Sequence, residues 1–255
     1  MALLWRSFRL QLQIIRTNPD YYVALAIAPV ATVVFISVVR HAGRNDLVAF
    51  AVVAPALISL WRTSIMASGE IVNEDRDQAT MEPTVATPAA YSTVVLGRIL
   101  GVSAVGLVGF PVVGLVARLV LDVPLTVEHP AVFALTLAAA AFAMSGTAVV
   151  MAAVFALARS SRIFQQTLTY PFYVLGGILV PVSYLPVFVR PLSRLVFLSW
   201  TADLLRASLA PAPVDDAGVR LAVIVGLGLA GFACGTVLLR RILDRVRALG
   251  TMTYA

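Results

Sequence analysis

Hydrophobic residues occur in long runs separated by short polar segments, and this pattern predicts membrane-spanning helices. Each run is close to the roughly 20 residues that an α-helix needs to cross the hydrocarbon core of a bilayer. We therefore expect an all-α membrane protein with six transmembrane helices in a single domain over residues 1–255. The predicted spans cover residues 21–39, 47–66, 94–120, 131–158, 163–181 and 219–239.

Residues 1–18 have a different pattern, that of an amphipathic helix lying on a surface. The apolar stripe repeats at helical spacing and contains Leu4, Phe8, Leu12 and Ile15. The opposite stripe contains Arg6, Arg9, Gln13 and Arg16. An apolar face beside a cationic face predicts an interfacial helix on an anionic leaflet.

The fifth apolar run is irregular, because Pro171, the Gly176-Gly177 pair and Pro181 interrupt it. Residues 182–210 then mix apolar positions with charged ones, and charges are costly inside a membrane. We expect this segment to form short re-entrant helices on the external side. Its charged residues are Arg190, Arg194, Asp203 and Arg206.

Composition supports a polytopic membrane protein, since 60% of the 255 residues are hydrophobic and 13% are charged. The net charge is +6, but the basic residues are scattered singly between apolar runs, which does not favour nucleic-acid binding. With six spans, both termini lie on one side. That side holds 12 arginines, with Arg98 included, against 7 on the other. The positive-inside rule therefore predicts cytoplasmic termini.

The most acidic part of the chain, residues 67–90, lies between the second and third spans. Read as a helix, Glu70, Glu74, Asp77 and Met81 share one face. Pro83 then ends the helix. This pattern predicts a cytoplasmic docking element that continues from the second span, and a solvated connector is the alternative.

Several kinds of chemistry are missing from the sequence. We find no ionisable residue at a predicted span centre, no Walker A motif, and neither of the sequence patterns of zinc proteases and serine hydrolases. Ser64, Ser68 and Ser145 have no histidine base near them in sequence, and Cys234, His41 and His129 show no metal-ligand spacing. If the chain is a transporter, it has neither an ion-coupling residue nor an ATP-binding motif, and it must therefore receive its energy from a partner.

Two motifs carry a resemblance to a known family. Residues 74–88 are similar to a family segment in which charged residues are followed by Gly-Thr-Leu-Glu, a short apolar stretch and Thr-Pro. The matching residues are Thr80, Glu82, Thr87 and Pro88. Ala79 and Met81 stand where Gly and Leu are usual. Residues 176–186, followed later by Arg206, are similar to its external Gly…Pro…Leu-Pro run and later arginine, although Ser199-Trp200 replaces a common Asn-Pro pair. The whole chain thus resembles the ABC-2 type permeases of ABC exporters, most of all the drug- and antibiotic-resistance branch.

The resemblance implies a pair of permeases, identical or paralogous, in a bacterial inner membrane. Each permease would seat a cytoplasmic nucleotide-binding subunit that binds ATP and Mg²⁺, so this chain needs no cofactor of its own and is not an enzyme. ATP-driven alternating access would export a hydrophobic or amphiphilic substrate. The residues implied to couple to the ATPase are Glu70, Glu74, Asp75, Arg76, Asp77, Met81 and Glu82.

The first, second and fifth spans are expected to line the substrate path through Phe35, Trp61, Phe172 and Tyr173. These aromatic residues could equally face lipid or the second permease. Two other functions remain as alternatives. One is a non-transporting scaffold or sensor that binds a cytoplasmic partner through the acidic segment, and the other is an intramembrane lipid-modifying enzyme that uses the three serines.

Overall fold

The structure is a computed structural model that describes residues 2–44, 47–77, 91–123, 126–157 and 161–249. Within these ranges every regular element is helical, which confirms the all-α prediction. A 3₁₀ turn, Val182–Tyr184, precedes the eighth helix. The α-helices are α1 (Ala2–Thr17), α2 (Pro19–His41), α3 (Val48–Asp77), α4 (Tyr91–Gly106), α5 (Gly109–Leu119), α6 (Pro130–Leu157), α7 (Ser161–Leu175), α8 (Arg190–Ser193), α9 (Phe197–Leu209) and α10 (Ala217–Leu249).

Five segments of the described chain are long and apolar enough to cross a membrane. They correspond to five of the six predicted spans, and the fifth apolar run is the one that differs. The segments are Tyr21–His41, Val48–Gly69, Thr93–Leu119, Pro130–Phe155 and Ala217–Ile242.

The third span is not one continuous helix, because α4 ends at Gly106 and α5 begins at Gly109. Pro111 has no backbone N–H and cannot donate to the carbonyl of Leu107. That carbonyl instead accepts a 3.1 Å hydrogen bond from the N–H of Phe110, which is only three residues further on, so the turn here is tighter than a turn of α-helix. The sequence pattern predicted an uninterrupted run over 94–120, and this local change of hydrogen bonding divides it.

Helix α3 packs antiparallel to α4 and α5. Ile71, near the end of α3, shares a buried cluster with Val95 at the start of α4. Further along, the hydroxyls of Ser64 and Ser103 lie 3.3 Å apart. Small residues permit this close approach, as they do between membrane helices in general.

Helices α6 and α10 run parallel to each other. Gly231 of α10 lies against Gly146 of α6, and one helical turn later Gly235 lies against Val150. Two parallel helices in sequence require that the chain between them crosses back. The N–H of His129, the residue before α6, donates a 3.0 Å hydrogen bond to the carbonyl of Ser208, so this return is complete by residue 208.

Helix α7 and the segment after it carry the chain back along the bundle. With 15 residues, α7 is about 22 Å long, less than the thickness of a bilayer core. It ends at Leu175, earlier than the predicted limit of 181, because the next residues form a turn in which Gly177 has a φ of +63°. The short helices expected over 182–210 follow, and α9 is buried against α3, α6 and α10.

The two ends of the bundle can be told apart by their residues. We call the end that contains residues 70–77 of α3 the acidic end, and the end that contains His129 and Ala212 the re-entrant end. Helix α1 and the C-terminal part of α10 both lie at the acidic end: α1 packs on α4, and Leu239 and Ile242 join the cluster around Ile71. The described termini therefore lie at the same end.

Candidate functional site

The acidic segment begins as a direct extension of a membrane span. Helix α3 continues from the apolar segment that ends at Gly69 to Asp77, a further 12 Å or so along its axis. This continuation confirms the sequence prediction that the second span runs into the acidic segment as helix. Five predicted coupling residues lie in the extension, namely Glu70, Glu74, Asp75, Arg76 and Asp77. Met81 and Glu82 lie outside the described residues.

The extension is fixed to the rest of the bundle near its base. Ile71 is only 1% exposed and belongs to a cluster formed by α3, α4, α6 and α10. Gly69, two residues earlier, lies so close to Gln165 of α7 that any side chain there would overlap the amide group of that glutamine. The base of the acidic extension thus contacts α4, α6, α7 and α10, so a displacement of the extension would change its contacts with all four helices.

Three of the four predicted path residues come together, and the fourth does not join them. The rings of Trp61 and Phe172 stack with centroids 4.5 Å apart, and Tyr173 follows Phe172 on the same helix. Trp61 is completely buried, so it packs α3 against α7 in this conformation and lines no open channel. Phe35 lies on α2, where it packs against the main core.

A polar cleft between α3 and α7 was not predicted from the sequence. Arg62 of α3 lines it inside an apolar span, together with a polar face of α7. The Nε atom of Arg62 is buried and has no hydrogen-bond partner. Two sequence features could have indicated the cleft: the single arginine within the apolar run of α3 and the Gln165-Gln166 pair in the fifth apolar run. The remaining lining residues are Ile58, Ile65, Met66, Thr169, Tyr170 and Tyr173.

At the re-entrant end, Arg206 joins the two halves of the second sequence motif. Its Nη2 donates a 2.7 Å hydrogen bond to the carbonyl of Gly177, and its guanidinium lies 4.2 Å from the ring centroid of Phe50. Its Nη1 lies 3.5 Å from Oδ1 of Asp203, and this ion pair favours the charged form of the side chain. Arg206 therefore connects α9 to the turn after α7 and to α3.

The departure at Ser199-Trp200 has a structural explanation. The hydroxyl of Ser199 donates to the carbonyl of Ser193 at 2.7 Å, and Nε1 of Trp200 donates to the carbonyl of Arg194 at 2.9 Å. Both side chains thus satisfy carbonyl groups at the end of α8. The pair closes the turn between α8 and α9 by hydrogen bonding.

Helix α1 is joined to α4 by a buried polar contact. Nε of Arg98 donates to Oε1 of Gln11 at 2.8 Å, and Nε2 of Gln11 donates to the hydroxyl of Tyr21 at 3.2 Å. Arg98 is 5% exposed, so it serves packing at the acidic end as well as topology. The predicted cationic stripe of α1 is exposed, whereas its most buried line is Ser7, Gln11 and Ile15.

The three serines considered for an intramembrane enzyme make ordinary helix contacts. Ser68 donates to the carbonyl of Ile65, and Ser145 donates to the carbonyl of Ala141. Ser64 lies beside Ser103 and has the hydroxyl of that serine as its partner. Among the residues that the structure describes, the hydrogen bonds of these serines involve no general base.

Five long apolar segments and an acidic helical extension of one of them define a multi-pass membrane protein. The family model described as ABC-2 type transporter matches residues 1–210, and the chain belongs to this family. It is a permease subunit, a transmembrane protein without an ATPase domain, and such permeases generally pair with a nucleotide-binding subunit. No curated protein gives a significant match to the chain.

Proposed function

We propose that this permease is the membrane-spanning part of an exporter in a bacterial inner membrane. It moves a hydrophobic or amphiphilic substrate, such as a drug, an antibiotic or a lipid-like molecule, out of the cell. A separate subunit hydrolyses ATP with Mg²⁺, and the energy enters this chain through the segment Glu70–Glu82. Two permeases, identical or paralogous, form the complex, with all termini in the cytoplasm.

The observation that carries this proposal is the unbroken course of α3. One helix contains the acidic residues up to Asp77, the anchoring residue Ile71 and the buried Trp61. An α-helix is a stiff element, so a force applied to its acidic end is transmitted along its axis. A tilt of the acidic extension would reach both the α3–α7 contact and the cluster around Ile71. Alternating access requires such a connection between the energy source and the membrane bundle.

The charges of the extension also favour docking. Glu70, Glu74, Asp75 and Asp77 together carry four acidic groups within two helical turns, against the single basic residue Arg76. Neighbouring carboxylates repel one another in the free chain, and a basic cleft on a partner would relieve this repulsion and steer the encounter. A nucleotide-binding subunit with a basic groove is the partner that this surface fits.

Charge reversal tests the docking role. We expect the triple change Glu74→Arg, Asp77→Arg and Glu82→Arg to abolish co-purification of the nucleotide-binding subunit and ATP-dependent efflux from vesicles. Membrane insertion should be unchanged, because none of these residues lies in an apolar segment. The matched control is Glu128→Arg, which alters an exposed acidic residue at the re-entrant end.

The control should retain wild-type subunit binding and efflux. Normal efflux by the triple variant would show that the docking role is wrong. Binding of a cytoplasmic partner without ATP-dependent efflux by the unmodified complex would instead favour the scaffold or sensor function. The drug-exporter assignment is tested separately, by measuring whether expression of the complex raises the resistance of a host cell to hydrophobic antibiotics.

A further inference from the structure

The cleft between α3 and α7 combines one cation with neutral polar groups inside the membrane region. Arg62 lies seven residues before Gly69, which places it about 10 Å inside the apolar segment of α3. A charged side chain at such a depth is costly, and its presence indicates a functional role or a specific partner. Of the described residues that line the cleft, none is acidic.

The hydrogen-bonding state of Arg62 is incomplete. Its Nε is buried without a partner. Buried donors are almost always paired in folded proteins, and Arg62 lines the cleft, so its incomplete hydrogen bonding indicates a place where an acceptor from another molecule can bind. Arginine presents its donors in a planar fork that suits carboxylate and phosphate oxygens.

The size and opening of the cleft restrict the ligand. Its volume is about 100 Å³, which is enough for a small oxyanion group and too little for a whole drug-sized molecule. Tyr170, on its rim, is 67% exposed, so the cleft opens at the surface of the chain. Ile163 and Val174 are exposed on the same helix, above and below the rim, and offer an apolar surface for a hydrocarbon chain.

We propose that the Arg62 cleft binds the oxyanion head group, carboxylate or phosphate, of an amphiphile whose apolar tail lies along α7. Arg62 supplies the charge, and Gln165, Gln166 and Thr169 supply further hydrogen-bonding groups. The site deepens the proposed function, on which it rests for its role in transport, by naming an anionic amphiphile as the substrate class. Because α7 also packs on Gly69, the head group would be held beside the helix that carries the acidic extension.

Binding can be measured on the full chain in phosphatidylcholine nanodiscs without any ATPase or nucleotide. Trp61 reports on the site in a Trp5→Phe, Trp200→Phe background, since it is adjacent to Arg62 and stacks on Phe172. We expect dodecyl phosphate to give a saturable change in Trp61 fluorescence. Dodecyltrimethylammonium, with the same tail and the opposite charge, should bind at least about tenfold more weakly. Equal binding of the two probes would overturn the proposal without reference to any variant.

Variants locate the binding at Arg62. Arg62→Gln should weaken dodecyl phosphate binding by about tenfold or more, and Arg62→Lys should restore part of it, because lysine keeps the charge without the fork. Arg118→Gln, which removes an exposed arginine at the opposite end of the bundle, should bind like the unmodified chain. Wild-type affinity in Arg62→Gln would overturn the assignment of the site.

Two further arms identify the source of the anionic group. Competition by phosphatidylglycerol in the nanodisc supports a lipid head group as the ligand, whereas an unchanged dodecyl phosphate signal supports a free amphiphilic substrate. Saturation by inorganic phosphate alone would overturn the requirement for an apolar tail. Because the assay contains no nucleotide-binding subunit, failure of probe binding is distinct from failure of subunit co-purification, which tests the proposed function itself.

Discussion

Three arginines, Arg62, Arg98 and Arg206, lie among apolar helices and differ in their contacts. Arg98 bonds to Gln11, and Arg206 bonds to the carbonyl of Gly177 and lies over the ring of Phe50. Each of these two therefore holds together elements that are distant in sequence. Arg62 is different in its surroundings, because it lines an open cleft whose other described lining residues are neutral; its buried Nε has no partner, and neither has the buried Nε of Arg206. A buried arginine whose guanidinium bonds to another element serves the fold, and one that lines an open polar cleft points to a ligand.

At the scale of the residue, Arg206 provides the sharpest test of stability. Arg206→Gln removes a charge-assisted hydrogen bond and leaves the Gly177 carbonyl without its donor. We expect a loss of about 1.5–3 kcal/mol in the free energy of unfolding. Thermal unfolding of the purified chain in detergent measures it. The matched control is Arg194→Gln, an exposed arginine between α8 and α9, which should cost less than about 1 kcal/mol. Equal effects would show that the Gly177 bond contributes nothing specific.

At the scale of the element, close contacts between two helices occur where one of them has glycine at the contact. In the pair α6 and α10, Gly228, Gly231 and Gly235 lie on one side of α10. An added Cβ at Gly235 would come within 2.7 Å of the backbone N of Val150, and backbone atoms cannot move aside at little cost. The Gly231-xxx-Gly235 spacing is a pattern typical of close packing between membrane helices, but it does not identify the partner helix.

Glycine replacement on α10 separates packing from helix propensity. Gly235→Ala should destabilise the chain by about 1–3 kcal/mol, because the new methyl group overlaps α6. Gly226→Ala on the same helix meets no atom within 4 Å, so it should be neutral or stabilising, as alanine favours helix more than glycine does. Thermal unfolding of both variants in detergent provides the comparison. If both behave alike, the contact between α6 and α10 is looser than the geometry requires.

The limits of a helix were predictable from the sequence where bilayer thickness or the spacing of prolines sets them. The course of α3 into the acidic segment followed from the absence of any proline between Pro55 and Pro83. The early end of α7 at Gly177 and the division of the third span at Pro111 were missed because membrane helices tolerate glycine and proline, so these residues alone do not fix where a helix ends. The Arg62 cleft was missed because Gln165 and Gln166 are about 100 residues away from Arg62 in sequence.

At the scale of the whole molecule, the parallel arrangement of α6 and α10 decides the topology. The chain leaves α6 at the acidic end and returns to His129 at the re-entrant end before α10 begins. We expect this return to be a sixth membrane crossing, in addition to the five long apolar segments. An even number places α1 and the end of α10 on the same side, and the excess of arginines at that side favours the cytoplasm.

Cysteine labelling tests both the sixth crossing and the orientation. In a Cys234→Ala background, we expect a membrane-impermeant maleimide to label Glu128→Cys and Asp215→Cys in intact bacterial cells. Arg9→Cys and Arg240→Cys should react only after permeabilisation. All four positions are exposed in the structure, so access depends on the side of the membrane. Asp215→Cys is the decisive position, because without a crossing by α7 and the segment after it, its reactivity would follow that of Arg9→Cys. A fully inverted pattern would preserve the fold and place the acidic extension outside the cell, where no ATPase could reach it.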